Sequence, residues 1–386
     1  MKTSDPLSEP DRKSASSRPL RLLVVAADRF PPFRVDVAVL FGKELVKRGF
    51  SIDWVLQSDA HCDADYVTNW SGGNVWVGRT DLGTSRSARL RKHFLAFMSE
   101  LKLFGILRRH RYDGVIVKDL FITPVIAMAA AAIVGVPVIY WLSYPFPEES
   151  LLLAREGRAR YPVYYRIRGW LFGLLLYKVI LPNVRHVFVQ SEQMRCDVER
   201  HGVPRQKMTP IPMGVDLEKI PSGVAAGGLA GMEGRPTIAY LGTMIKVRRL
   251  DFLIRAVAIV RKSILDVRLI MIGDGDDESD RQLLRDEVKR CNLEDVVEFT
   301  GFLPMEAAWR IVAACDVCVS PFFPTPVLNS TSPTKLVEYM AMGKPVVAND
   351  HPEQRQVIAD SQGGICVPWD ESAFAAALVR LLSAPE

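Results

Sequence analysis

Apolar residues along this chain gather in short runs, and between the runs they recur every three or four places. The runs at Arg21 to Ala27, Ile52 to Leu56, Val75 to Val77, Gly114 to Val117, Val138 to Leu142 and His186 to Gln190 read as strands. A second series follows at Thr237 to Leu241, Arg268 to Ile272, Val296 to Phe299, Val317 to Ser320, Val346 to Ala348 and Ile365 to Val367. Nearly continuous Val, Ile and Leu suits strands of a parallel sheet covered on both faces, because neither side of such a strand meets water. Strands alternating with helical stretches predict an α/β, doubly wound architecture in each series. Between the series, Pro221 to Pro236 is rich in Gly and Ala and reads as a flexible connector. Two lobes on a hinge frame a cleft, and ligands of parallel sheets bind beyond the carboxyl ends of the strands.

The 386 residues are too many for one ordinary core, which agrees with two domains. Residues 1–19 mix Ser, Pro, Asp, Arg and Lys without an apolar core and read as a disordered lead, not a signal peptide. The expected division is therefore a lead at 1–19, a first domain at 20–220, a linker at 221–236 and a second domain at 237–386. Phe121 to Leu142 carries no charge and has the length of a membrane span, about 20 residues. Gly135 and Pro137 split it, however, into an Ala-rich buried helix and a β-branched strand.

Net charge of +5 and a pI near 8.8 favour anionic substrates or an acidic membrane surface; no aromatic-interleaved basic module calls for nucleic acid. The six cysteines are scattered, and the close pair Cys315 and Cys318 has no second pair at zinc-ligand spacing, so no metal is expected. Free buried thiols and the absence of a leader point to the cytoplasm. Two stretches combine basic and apolar residues as interfacial helices do, Arg86 to Arg111 and Arg158 to Lys178. They predict peripheral attachment to an anionic membrane at the inner face of the plasma membrane.

The richest chemistry lies in Ser332 to Val347. Ser332 reads as an N-cap and Pro333 as the first helical residue, which leaves the N–H groups of Thr334 and Lys335 facing an anion. Lys335 adds a full positive charge. Glu338 stands one turn further on, ~9 Å along the axis from the cap at ~1.5 Å per residue, where it clears the phosphates and can accept hydrogen bonds from ribose hydroxyls. Gly343 ends the helix ahead of a buried strand.

Read with its surroundings, this segment resembles the nucleotide-binding core of the retaining glycosyltransferases of family four, which have two facing Rossmann-like domains, the GT-B fold. GVDLEKI after Pro212, YLGTMIKVRRLDFLIRAV from Tyr240, LIMIGDGDD from Leu269 and EFTGFLP from Glu298 carry the same likeness. It covers Pro236 to Pro368 closely and the first half loosely. The resemblance implies that Lys335 and Arg248 neutralise a departing diphosphate. In the family an Arg follows the Gly of this loop and a Lys stands five places on; here Thr243 follows Gly242 and Arg248 takes the place of the Lys. Two glutamates eight positions apart are also expected, yet Ser330 stands eight places before Glu338. Asn329, Ser330 and Thr331 then remain as hydrogen-bonding candidates for the donor sugar.

The nucleotide site is expected from Glu338, Ser332 and Thr334, from Gly242, Gly273 and Gly275, where backbone approaches a ligand, and from Phe302 and Leu303 in the loop that meets the base in the family. In the first domain the family's glycines after the first strand are missing. Arg34 is the substitute phosphate contact, Asp36 a cap for a helix at Val37 to Arg48, and Asp119 and Ser143 are acceptor-side candidates. Family members continue into a last helix that crosses back onto the first domain; no counterpart follows Glu371 to Leu382, so either the tail is shortened or the sequence is incomplete, and weaker lobe closure is expected if that helix is missing.

The resulting expectation is a retaining glycosyltransferase of the hexosyl class. Its donor is a UDP- or GDP-sugar, with no cofactor beyond it, and its acceptor a glycan or polyprenyl-linked molecule in polysaccharide or exopolysaccharide assembly. A nucleotide-sugar epimerase of the same fold and a catalytically impaired nucleotide-sugar-binding protein stand as alternatives. An NAD-dependent oxidoreductase is disfavoured because no GxGxxG follows the first strand.

Overall fold

In the computed structural model of the chain, residues 18–32, 34–62, 64–80, 83, 85–221 and 234–384 are described, with the side chains of 86–93 and 96 set aside. The first seventeen residues of the expected lead and most of the expected linker lie outside these. Eight strands form the first sheet: β1 (Arg21–Phe30), β2 (Ser51–Ser58), β3 (Tyr66–Trp70), β4 (Gly73–Gly78), β5 (Gly114–Lys118), β6 (Val138–Leu142), β7 (His186–Val189) and β8 (Met208–Pro210). Six form the second: β9 (Thr237–Leu241), β10 (Arg268–Ile272), β11 (Val297–Gly301), β12 (Val317–Ser320), β13 (Val346–Asn349) and β14 (Gly364–Val367). The orders are β3-β4-β2-β1-β5-β6-β7-β8 and β11-β10-β9-β12-β13-β14, parallel throughout except where β3 meets β4. In both sheets the chain starts in the middle, winds outward to one edge and returns to the other, so each has a switch point beside its first strand.

The central strands are legible because they are fully buried. Leu23 to Ala26, Val115 to Val117, Ile238 to Tyr240 and Leu269 to Ile272 have almost no solvent contact. Helices cover both faces of each sheet and divide the core into four clusters, two per sheet. Withdrawing each Val, Leu or Ile side chain from water contributes ~1.5–3 kcal/mol, which holds the layers together. The uncharged stretch divides as anticipated: helix Thr123–Val134 stops at Gly135 in the left-handed region (φ 71°), and β6 follows. No described helix is long and apolar enough to cross a membrane.

Two strands have no counterpart in the apolar runs. β3 is an exposed antiparallel edge reached by a turn at Ser71 and Gly72, and its Thr68 and Asn69 break the apolar pattern. β8 is a short edge containing Pro210, tolerated there because an edge strand can lack a ladder N–H. The first-domain helix expected at Val37 to Arg48 begins at Asp36 and is wound with π-type bonding to Leu45; Asp36 does not cap it. Of the two basic-apolar stretches, helix Arg86–Arg109 exposes Phe94, Phe97 and Leu101 but buries Leu103, Ile106 and Leu107. The side chains of Arg89, Leu90, Arg91 and Lys92 lie outside the described residues. Cys315 and Cys318 are buried thiols, and burial pushes the Cys315 thiol up to about 12.

The segment after β8 returns to the first domain before the chain leaves it. Lys43 holds Asp216 at 2.8 Å and Glu218 at 2.7 Å, and Met213 donates its N–H to Ser332 Oγ of the second domain at 2.9 Å. A single stretch thus ties both domains at the floor of the cleft.

Candidate active site in the interdomain cleft

The carboxyl ends of β1, β6, β9 and β10 face a cavity of about 1050 Å³ between the domains. Its second-domain wall is built by Gly242 after β9, Gly273 to Asp276 after β10, Phe302 and Leu303 after β11, Phe322 after β12, and the start of helix Thr334–Ala341. Gly273 has φ 132° and lies against the backbone of Gly242, where an added Cβ would sit 2.1 Å from the Gly242 oxygen. Only glycine lets these two loops touch, and their contact clears the space above the helix start.

That helix begins at Thr334, not after a Ser332 cap: Pro333 precedes it and no side chain caps it. Ser332 Oγ instead donates to Glu353 and accepts from Met213 N–H. The first N–H groups of the helix therefore have no side-chain partner and remain available to an anion. Lys335 is buried; its ammonium donates to Tyr240 Oη at 3.1 Å and lies 4.3 Å from the Tyr240 ring centre and 5.2 Å from that of Phe322. Arg248 approaches the same Phe322 ring at 5.9 Å and donates to Thr243 Oγ1 at 2.8 Å. Burial, then the neighbouring Arg248 charge, pushes the Lys335 ammonium well below its ordinary range, with Glu338 opposing. Burial raises the Glu338 carboxyl, and Lys335 partly offsets that.

The first-domain wall contributes Arg34, Ser143, Tyr144, Glu149 and Gln190. Arg34 does not present a free charge. It pairs with Asp36 through two contacts of 3.2 Å, inside a cluster where the buried Lys118 reaches Asp36 at 2.9 Å and Asp28 at 3.3 Å. Lys118 and Arg34 hold the Asp36 carboxyl below its ordinary range although burial works the other way. Asp119 is half-buried, and burial raises its carboxyl; it accepts the Ser143 N–H at 2.7 Å and the Ser143 hydroxyl as well. It positions Ser143 and does not line the cavity itself.

The structure gathers Arg248, Lys335, Glu338, Ser332, Thr334, Gly242, Gly273, Gly275, Phe302, Leu303, Thr331, Arg34 and Ser143 around the one cavity. Asn329 and Ser330 are turned away from it. They line a separate interdomain cavity of about 410 Å³, where Ser330 contacts Asp197 through its hydroxyl and accepts the Ser191 hydroxyl at its carbonyl, 2.7 Å. Ser330 fastens the second domain to the start of helix Glu192–Arg200 and does not face the expected donor sugar. Phe322, Tyr144 and Glu149 also line the larger cavity and are not among the residues expected from the sequence. Their signals were the aromatic pair directly after β12 and the Pro-rich turn after β6, both at strand ends that face the cleft.

Residues 36–219 match the family profile described as Glycosyltransferase Family 4, and residues 235–384 that described as Glycosyl transferases group 1. The chain is 31% identical over 179 residues to the phosphatidyl-myo-inositol mannosyltransferase of Mycobacterium leprae, covering 44% of this chain and 45% of that protein. It is 25% identical over 237 residues to the alpha-monoglucosyldiacylglycerol synthase of Streptococcus pneumoniae, 58% of this chain and 52% of that one. The chain thus spans about half the length of the curated relatives it matches. Among solved structures, sucrose-phosphate synthase from Thermosynechococcus elongatus superposes with a TM-score of 0.69 at 19% identity, over 95% of this chain and 90% of that one. Anabaena HepE in complex with UDP gives 0.64 at 15% identity, over 95% and 91%. At these identities the likeness to solved structures is one of fold.

Proposed function

We propose, given that this chain belongs to the family 4 glycosyltransferases and has the two-domain GT-B fold, that it moves a hexosyl group from a UDP- or GDP-sugar to a hydroxyl of a glycan or lipid-linked acceptor. The observation that carries this reading is the meeting of an uncapped helix start with two cations on one aromatic ring. Like charges held so close repel until an anion lies between them, and a nucleoside diphosphate is an anion of that size and charge. Glu338, one turn along the helix, is then set to accept ribose hydroxyls, and the exposed Phe302 at the cavity mouth is a face for the base.

In the proposed reaction a bond forms between the acceptor oxygen and the anomeric carbon as the bond from that carbon to the phosphate oxygen breaks. The departing phosphate takes the acceptor proton while Lys335, Arg248 and the helix N–H groups hold the developing charge. A protein base on the opposite face, which inversion would need, is not required by this route. The product then keeps the donor's anomeric configuration.

Two measurements test this. UDP- and GDP-sugars raise the melting temperature, and free nucleotide appears only when acceptor is added. Nucleotide release without acceptor, or a sugar altered but still attached to nucleotide, overturns the transferase reading. Proton NMR of the product from an α-linked gluco-configured donor reads the second point: an α-anomeric coupling is expected, and a β coupling overturns retention.

A further inference from the structure

Helix Pro162–Leu174 turns an unusual face to solvent. Val163, Ile167, Trp170, Leu171 and Leu174 fall on one side of it at helical spacing, with Val163 at 70%, Ile167 at 53% and Trp170 at 62% exposure. This is not a core face awaiting its neighbour, because the opposite side is already packed. Gly169 lies so close to helix Phe146–Arg155 that a Cβ there would come within 2.8 Å of Leu151 Cγ and 2.9 Å of the Pro147 oxygen. Phe172 is stacked at 4.5 Å on Phe121. A soluble helix normally buries its apolar stripe and wets the other; this one is fixed in place by a glycine and leaves the stripe outside.

The flanks identify the partner. From Arg158 to Lys178 the chain has five cations and no carboxylate; Arg158 is paired with Glu156 at 2.9 Å, and Arg160, Arg166, Arg168 and Lys178 flank the stripe. Tyr161 and Tyr164 stand exposed at the helix start, so the stripe has aromatic residues with polar tips along its edge. Cations beside an aromatic and aliphatic face complement anionic headgroups above acyl chains, and Trp and Tyr favour that boundary. A second copy of the chain would instead bring four positive charges, Arg160, Arg166, Arg168 and Lys178, against four.

We propose that helix Pro162–Leu174 lies in the plane of an anionic lipid bilayer, with Ile167, Trp170 and Leu174 seated among the headgroups and upper acyl chains. At 13 residues, ~20 Å at ~1.5 Å per residue, it is too short to span and docks flat. The geometry also fixes which side of the molecule meets the membrane. Helix Phe146–Arg155 packs against the docking helix, and its Phe146 and Glu149 line the cleft. The first-domain wall of the cavity therefore lies one helix layer from the lipid, on the side where a lipid-linked acceptor would arrive. The docking claim itself does not depend on turnover.

The test is co-sedimentation of the full chain with vesicles of phosphatidylcholine, alone or mixed with phosphatidylglycerol. Binding to the mixed vesicles is expected to exceed binding to neutral ones and to fade as salt is raised. Arg160→Ala and Arg166→Ala are each expected to lower binding about fivefold, and Ile167→Glu with Trp170→Glu to abolish it. These positions are exposed, so thermal unfolding and nucleotide-dependent melting shifts stay at wild-type values. Equal binding to both vesicle types, or full binding by the Glu double variant, overturns the proposal. So does a sedimentation velocity result in which wild type is a dimer, the double variant a monomer, and neither binds lipid.

Discussion

The two walls of the cleft are held in opposite ways. The second-domain wall is almost all backbone: glycines after β9 and β10 that touch, an uncapped helix start, and one buried lysine laid against two rings. The first-domain wall is held by charges far apart in sequence, with Lys118 between Asp28 and Asp36, Arg34 over Asp36, and Asp119 holding Ser143. Backbone N–H groups suit a ligand part that never changes, such as a diphosphate. A wall of side chains can be altered piecemeal, and so suits a ligand part that varies, as the acceptor does in the function proposed above.

The sharpest way to break this contrast is Lys118→Met. It removes the buried cation that Asp28 and Asp36 share, leaving Arg34 as their remaining described partner, and is expected to cost about 3–5 kcal/mol of folding stability, read as a lower denaturant midpoint. Adding Asp36→Asn should recover part of the loss; an unchanged midpoint for Lys118→Met would show that the cluster does not hold the wall. On the other wall, Arg248→Ala should leave the fold intact and lower kcat ~10²–10³-fold, about 2.7–4 kcal/mol of transition-state stabilisation. A variant that loses folding stability instead would place Arg248 with the structural charges.

Glu338→Ala comes next, with nucleotide affinity weaker by about 1.5–3 kcal/mol in calorimetry. Glu149→Gln on the first-domain wall should leave that affinity untouched and raise the acceptor KM, so a nucleotide effect there would erase the division of labour. The last contrast is a pH slope. Burial raises the Glu353 carboxyl from 4.5 to about 7 despite its Ser332 hydrogen bond. The unfolded chain ionises this group first, so its contribution is full below about 4.5 and is lost as pH rises through about 7. His351, lowered by burial, acts in the opposite sense below 6.5. The comparison of wild type with Glu353→Gln isolates the glutamate: denaturant midpoints should diverge in favour of the variant as pH rises, and parallel curves would refute it.

These contrasts explain what could be read in advance. β6, β9, β10 and β12 appear in the sequence with their observed bounds, because a strand buried on both faces is a run with no polar interruption. The helix at Thr334, its lysine and its glutamate were legible for a related reason: their positions are set by local spacing. Lys118 was not. At the end of a strand it looks like a solvated charge, and its partner Asp28 stands ninety residues away. Ser332 and Ser330 misled in the same manner. Each has the composition of a local cap or turn, yet the hydroxyls are committed to Glu353 and Asp197 elsewhere in the fold. Polar residues whose partners are remote carry no periodicity, and the first-domain wall is made of such residues.

The sheath of rings around Lys335 has a consequence for how the donor leaves. Burial, and then the facing Arg248 charge, disfavour the charged form of the Lys335 ammonium. A diphosphate beside it reverses that balance and makes the proton tightly held. An anion bound beside Lys335 therefore favours its charged form, and nucleotide affinity is expected to fall as pH rises through the range in which Lys335 titrates, which calorimetry across pH checks.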